Sequence, residues 1–165
     1  MSSAKYKFIQ QQGFQNETEE SATIHYDALL FQPIIVGTMM AIATLRQSST
    51  IFLIFGLILW INALLPQINI FELVYNATFR LMRNEPRLEP APKPRRFMQG
   101  MAGTLMLGAA FTLLIGWNGI SYILQAFIVA AFVALLFGKF CLGAFIYHYL
   151  TGNRKFANAT CPWSK

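Results

Sequence analysis

The side chains able to do chemistry in this 165-residue chain are few, and most lie toward its two ends. Cys141 and Cys161 are its two cysteines. The thiolate is the reactive form of cysteine, and a nearby ammonium favours it. Lys139 precedes Cys141 by two positions, so a reactive Cys141 is the sharpest catalytic candidate, with Cys161 as the residue that could resolve it. The plainer reading makes Cys141 a small hydrophobe on a buried helix face, and that is the one expected here. Two cysteines do not make a disulfide framework, and a reducing cytoplasm disfavours a lasting bond. His25 and His148 are the cofactor candidates, since a pair of imidazoles can hold a haem iron. Neither sits in a supporting motif, so no haem, pigment or other cofactor is expected, and no metal site.

Transport chemistry needs charged or broken-helix sites deep in a membrane. The apolar stretches hold no acidic residue, and Asn62 and Gln125 are read as their only strongly polar side chains well inside. Transport is therefore not favoured. With no complete catalytic set, an enzyme is not the expected reading either.

These residues are carried by apolar segments. Apolar residues make up 55% of the chain and charged residues 12%, about half the roughly 25% typical of soluble domains. Runs this apolar need lipid. The expected fold is an all-α membrane protein of four transmembrane helices in two hairpins. A polar tail, 1–28, lacks the apolar surface to offset its ordering entropy and is expected to be mobile, or a short surface helix at best. It does not read as a signal peptide, so the first span should be an uncleaved anchor. Hairpin 1 covers 29–65, with spans near Leu29–Leu45 and Thr50–Leu65 around a polar turn, and Pro33 near the start of the first helix. Residues 66–96 form the middle loop. There Asn69 and Glu72 make a capping box that opens an amphipathic helix to about Arg83. Its apolar face (Ile70, Leu73, Val74, Ala77, Leu81) should lie in the membrane interface. The proline-rich stretch 84–96 should be an extended strap. Hairpin 2 covers 97–150. Its third span is expected over Phe97–Gly116, and its fourth helix from Ile120 with apolar sequence to Leu150. A tail, 151–165, follows.

Charge sets the expected orientation. The N-tail, the middle loop and the C-tail hold eleven of the thirteen basic residues, and Lys139 adds a twelfth; Arg46 alone lies on the other side. The positive-inside rule places both termini and the middle loop in the cytoplasm, in an inner, cytoplasmic-type membrane. Arg80, Arg83, Arg95 and Arg96 are then candidate contacts to anionic headgroups. No nucleic-acid module accompanies the charge, so nucleic acid is not an expected partner.

Small residues recur every fourth position in the last two spans. Gly100, Thr104, Gly108, Thr112 and Gly116 line one helix; Ala126, Ala130, Ala134 and Gly138 line the next. Membrane helices associate by close backbone approach along such residues, so the two stripes are expected to face each other as a packing seam.

The run Pro94–Thr104, the segment Phe137–Gly143, Ile68–Phe71, and Phe156–Asn158 with Pro162-Trp163 together resemble a cyanobacterial-type member of the bacterial membrane family called domain of unknown function 4395. The resemblance covers about residues 24–163. Many members carry a second cysteine three residues after the first, and the genes often lie near thioredoxin-like or sulfurtransferase genes, which implies a thiol-redox role. Cys141 matches the first cysteine, but Ala144 stands at the second position. The expected function is therefore a non-catalytic, partner-binding accessory or assembly subunit, or a small homo-oligomer. The alternative is a thiol-redox component acting through Cys141 with a thioredoxin-like partner. The remaining expected partners are the lipid bilayer with anionic headgroups and other membrane subunits.

Overall fold

Two tight reversals arrange the bundle. In the computed structural model, which describes residues 4–14, 19–83, 87 and 90–161 but not the side chains of 19–25 or Arg83, α2 (Glu19–Arg46) turns into α3 (Ser49–Leu64) through Gln47 and Ser48. Gln47 takes a positive φ of 48°, and the Ser48 hydroxyl caps α3 by accepting the Ile51 amide at 3.4 Å. The second reversal joins α6 (Lys93–Leu114) to α7 (Asn118–Leu136). Gly116 supplies the left-handed residue, φ 79°, which glycine adopts without a Cβ penalty. Helix α2 packs on α3, α3 on α6, α6 on α7, and α7 back on α2, which closes a four-helix ring.

Shorter helices complete the chain: α1 (Ala4–Gln11), α4 (Ile70–Ala77), α5 (Phe79–Arg83), α8 (Leu142–Leu150) and α9 (Arg154–Ala159), with a 3-10 turn at Pro66–Ile68. No strand occurs among the described residues. Among the described residues, three helices are long and apolar enough to cross a membrane: Tyr26–Arg46 within α2, α6 and α7. Helix α3 is equally apolar in character but has 16 residues, about 24 Å at 1.5 Å per residue.

Several expected boundaries move. Pro33 lies inside α2, because that helix starts at Glu19. Helix α6 begins at Lys93, four residues earlier than expected, since Pro94 is accepted in a first turn where no intrahelical amide partner is lost. Residues 84–86 and 88–89 of the expected strap lie outside the described residues. The amphipathic helix breaks at Thr78, whose hydroxyl donates back to the Val74 carbonyl at 2.6 Å, a bond that bends helices. The fourth long helix stops at Leu136; a turn with Lys139 at φ 50° separates it from α8.

The polar tail is the larger correction. Its α1 packs into the bundle base with Phe8, Ile9, Gln11 and Gln12 fully buried. Phe8 meets Tyr26 edge-on, ring centroids 5.4 Å apart. The two large apolar side chains and the buried hydrogen bonds of Gln11 and Gln12 to other elements offset the ordering cost of this polar segment.

Several residues of the expected stripes do not lie between α6 and α7. Ala126, Ala130 and Gly138 are exposed on the bundle, as are Thr104 and Gly116. Helix α7 instead buries Ser121, Gln125 and Ile128. Ser121 donates to the Ala109 carbonyl at 3.2 Å, and Gln125 exchanges hydrogen bonds with Gln47 at 3.0 and 3.1 Å. Helices α3 and α6 approach closely at glycines. A Cβ on Gly103 would stand 3.0 Å from the Gly56 carbonyl oxygen and 2.9 Å from the Trp60 ring. Gly108 of the expected stripe meets only Leu124 from α7 at such range, and Thr112 is buried.

Candidate functional site

The polar groups gather at one pole, around Arg95. As the third residue of α6, Arg95 points inward and is 1% exposed. Its Nη1 donates to Gln12 Oε1 at 2.8 Å, and both terminal nitrogens reach the Leu29 carbonyl at 3.3–3.4 Å. Nη2 also meets Gln32 Oε1 at 3.4 Å, and Nε lies 3.7 Å from Glu72 Oε1. Gln99 donates to the same Gln32 oxygen at 2.9 Å. One guanidinium thus ties α1, α2, α4 and α6 together. Its expected headgroup role is overturned, because the helix start places it against three other elements. Glu72, read in the sequence as half of a capping box, is buried beside it. Burial pushes the Glu72 carboxyl above the ordinary range, opposed by the Arg95 charge and by a hydrogen bond from Asn69.

Arg96 points the other way. Its Nε donates to the Ala63 carbonyl at 2.7 Å and Nη2 to Leu64 at 3.4 Å. These are carbonyls of the last turn of α3, which lack intrahelical amide partners.

The thiol lies beside this network. Cys141 is fully buried at the start of α8. Its Sγ stands 3.0 Å from Met98 Sδ, and its backbone amide donates to Gln11 Oε1 at 3.0 Å. Burial pushes the thiol up to about 11; hydrogen bonds from the Ala144 and Gly143 amides and the Arg95 charge act against that. Lys139, expected to favour the thiolate, instead holds its ammonium 5.9 Å from the centre of the Tyr26 ring. Neither cysteine is disulfide-bonded. Cys161 is buried under α9, with its thiol 3.5 Å from the Ala157 carbonyl, and burial raises its pKa. A small apolar cavity of about 60 Å³ adjoins Met98, Gln99 and Cys141 within the bundle.

His148, a cofactor candidate in the sequence, is buried. Its Nε2 lies 3.0 Å from the Gln11 carbonyl oxygen, and its ring meets Phe156 edge-on at 4.8 Å. The His25 side chain lies outside the described residues. No group of three or more His, Cys, Asp or Glu side chains suited to a metal occurs among the described residues.

Sequence reasoning missed Gln11, Gln12, Gln32 and Gln99 as members of this centre. Gln32 lies within the first expected span and Gln99 within the third, so a polar residue in each apolar run was the available signal. Gln11 and Gln12 gave none, because a glutamine in a polar tail is unremarked.

The centre immobilises a charge and shields a thiol. It defines an all-helical protein with membrane-compatible helices and a polar pole that locks its terminal elements to the bundle. The chain belongs to the family described as domain of unknown function (DUF4395), whose sequence profile matches residues 25–151. No curated protein and no solved structure matches it.

Proposed function

We propose that this chain is a four-span membrane protein with both termini and residues 66–96 on the cytoplasmic face of an inner, cytoplasmic-type membrane, acting as a non-catalytic accessory or assembly subunit. The observation that carries the non-catalytic reading is Cys141. Its thiol is fully buried, held protonated at neutral pH, and seated on Met98. Arg95 and His148, the other reactive groups at this pole, hold α1 and neighbouring elements in place. A partner-binding role is favoured because the pole forms a fixed platform rather than an open cleft.

Helix α3 serves as the fourth span in this reading. Its place in the closed ring supports that, as do the apolar side chains it presents outward, Leu53, Ile54, Leu57 and Ile61. Arg96 completes its last turn at the headgroup level. Helix α4 lies in the interface, with Ile70, Leu73 and Val74 outward and Phe71 and Tyr75 against the bundle.

The test is affinity purification in mild detergent with mass spectrometry of co-purifying chains, comparing wild type with Cys141→Ala. The same partner in both preparations is expected. A partner lost with Cys141→Ala at unchanged protein level would favour thiol redox with a thioredoxin-like protein. So would reductant-dependent labelling of Cys141 in intact membranes.

A further inference from the structure

A groove of about 660 Å³ runs along the outer side of the α3–α6 contact, and Tyr147 of α8 closes one flank. Lys93 and Arg96 stand at one end of it; its apolar wall includes Trp60, Phe97 and Leu105. The lining holds two cations and no acidic side chain. Lys93 and Arg96 are three residues apart on α6, which places them on one helix face. Thr104, further along the groove, lies ~16 Å down the helix axis from Lys93. The groove therefore offers two positive charges at a helix end and then apolar surface running into the span.

We infer that this groove binds one anionic phospholipid, with its phosphate on Lys93 and Arg96 and an acyl chain laid along Trp60, Gly100 and Thr104. The inference rests on the membrane-spanning reading above. Charge complementarity selects the occupant, since basic pockets between membrane helices take anionic headgroups. A helix from another subunit would need acidic groups at the level of Lys93 and Arg96, whereas an anionic lipid brings a phosphate there with its chains already aligned to the span. Arg96 is also preorganised. Its bonds to the Ala63 and Leu64 carbonyls use two of its five N–H donors and fix the guanidinium at the groove mouth. Arginine and phosphate then meet through paired, charge-assisted hydrogen bonds. The exposed Thr104 hydroxyl donates to the Gly100 carbonyl at 2.9 Å, so the floor asks for no polar partner where the acyl chain lies.

Trp60 supplies the readout. The full chain carrying Trp117→Phe and Trp163→Phe, with Trp60 as its sole tryptophan, is reconstituted into phosphatidylcholine vesicles. Either brominated phosphatidylglycerol or brominated phosphatidylcholine is added at the same small mole fraction, and Trp60 quenching is measured. Phosphatidylglycerol is expected to quench more strongly. Lys93→Gln should weaken that preference by about fivefold, from roughly 1 kcal/mol for one cation at a headgroup. Lys93→Gln is the primary variant because Arg96 also supports the end of α3. Arg87→Gln, a loop charge outside this groove, should leave the preference unchanged. Equal quenching by the two lipids overturns the inference, as does equal loss from Lys93→Gln and Arg87→Gln. If Trp60 is shielded from both lipids while the protein floats with the vesicles, a protein segment fills the groove and the inference is wrong. If the protein does not float with the vesicles, the membrane-spanning reading itself fails.

Discussion

Arg95 and Cys141 show how one position in a helix changes the chemistry of a side chain. Three consecutive sequence features, Pro94, Arg95 and Arg96, read as a basic strap, but an early helix start turns Arg95 inward and Arg96 toward the end of α3. The consequence is testable. Arg95→Met leaves the buried Glu72 without its countercharge, a loss that typically costs ~3–5 kcal/mol. Glu72→Gln should cost less, because burial already favours the protonated, neutral carboxyl. The double variant should lose less than the sum of the two, as read by denaturant or thermal unfolding in detergent. Additivity within about 0.5 kcal/mol would mean the pair is uncoupled. The folded pKa of Glu72 lies above its ordinary 4.5. Its protonation therefore stabilises the fold below that value, and the gain is lost as pH rises through the raised one. Glu72→Gln should flatten that part of the pH profile. For Cys141 the same sign holds at higher pH: its contribution is present below the ordinary 9.0 and lost as pH climbs toward about 11. Maleimide labelling of folded protein near neutral pH should accordingly spare Cys141, and detergent denaturation should release it; rapid labelling of Cys141 in the native protein would contradict its burial.

Among the elements, periodicity revealed the helices better than their neighbours. The Gly-Thr and Ala-Gly stripes were visible in the sequence, yet spacing alone cannot say which helix a stripe meets. The ring brings α3 and α6 together through Gly56 and Gly103, one glycine on each side and no stripe on α3, so nothing in the local pattern marked that approach. Gly103→Leu should therefore destabilise the bundle by about 1–3 kcal/mol through overpacking, since even a methyl there would meet backbone and the Trp60 ring. Ala130→Leu, on an exposed face of α7, should leave unfolding unchanged. Equal effects would return the seam to α6 and α7. The turns were more legible than the contacts. The polar residues between α2 and α3 announce a reversal, whereas Gly116, the left-handed residue of the second one, was read as part of the stripe. The break at Gly138 and Lys139 was hidden by apolar residues on both sides, where hydropathy is blind to a helix end.

For the whole molecule, charge and packing bear on the proposed topology by separate routes. In the proposed topology all eleven basic residues of the tails and middle loop lie on one side, Arg95 among them although it ends inside the fold. The closed ring then requires that α3 lie alongside α2 and α6. With three helices alone crossing, the two ends of the chain would fall on opposite sides. With α3 crossing as well, they fall on the same side, together with residues 66–96. The packing of α1 against Tyr26, and of its Gln11 against Cys141 and His148, favours the second arrangement, because it brings the N-terminal helix to the start of α8. Reporter fusions after residues 48, 90 and 165 separate the cases. Four spans predict the non-cytoplasmic side for residue 48 and the cytoplasm for residues 90 and 165. A three-span chain in which α3 stays at the surface would give residues 48 and 90 the same side and residue 165 that same side again only if α6 and α7 still form a hairpin. The decisive reading is therefore the change of side between residues 48 and 90. If both report the same compartment, α3 does not cross, and its 16 residues rest against the bundle from one face of the membrane.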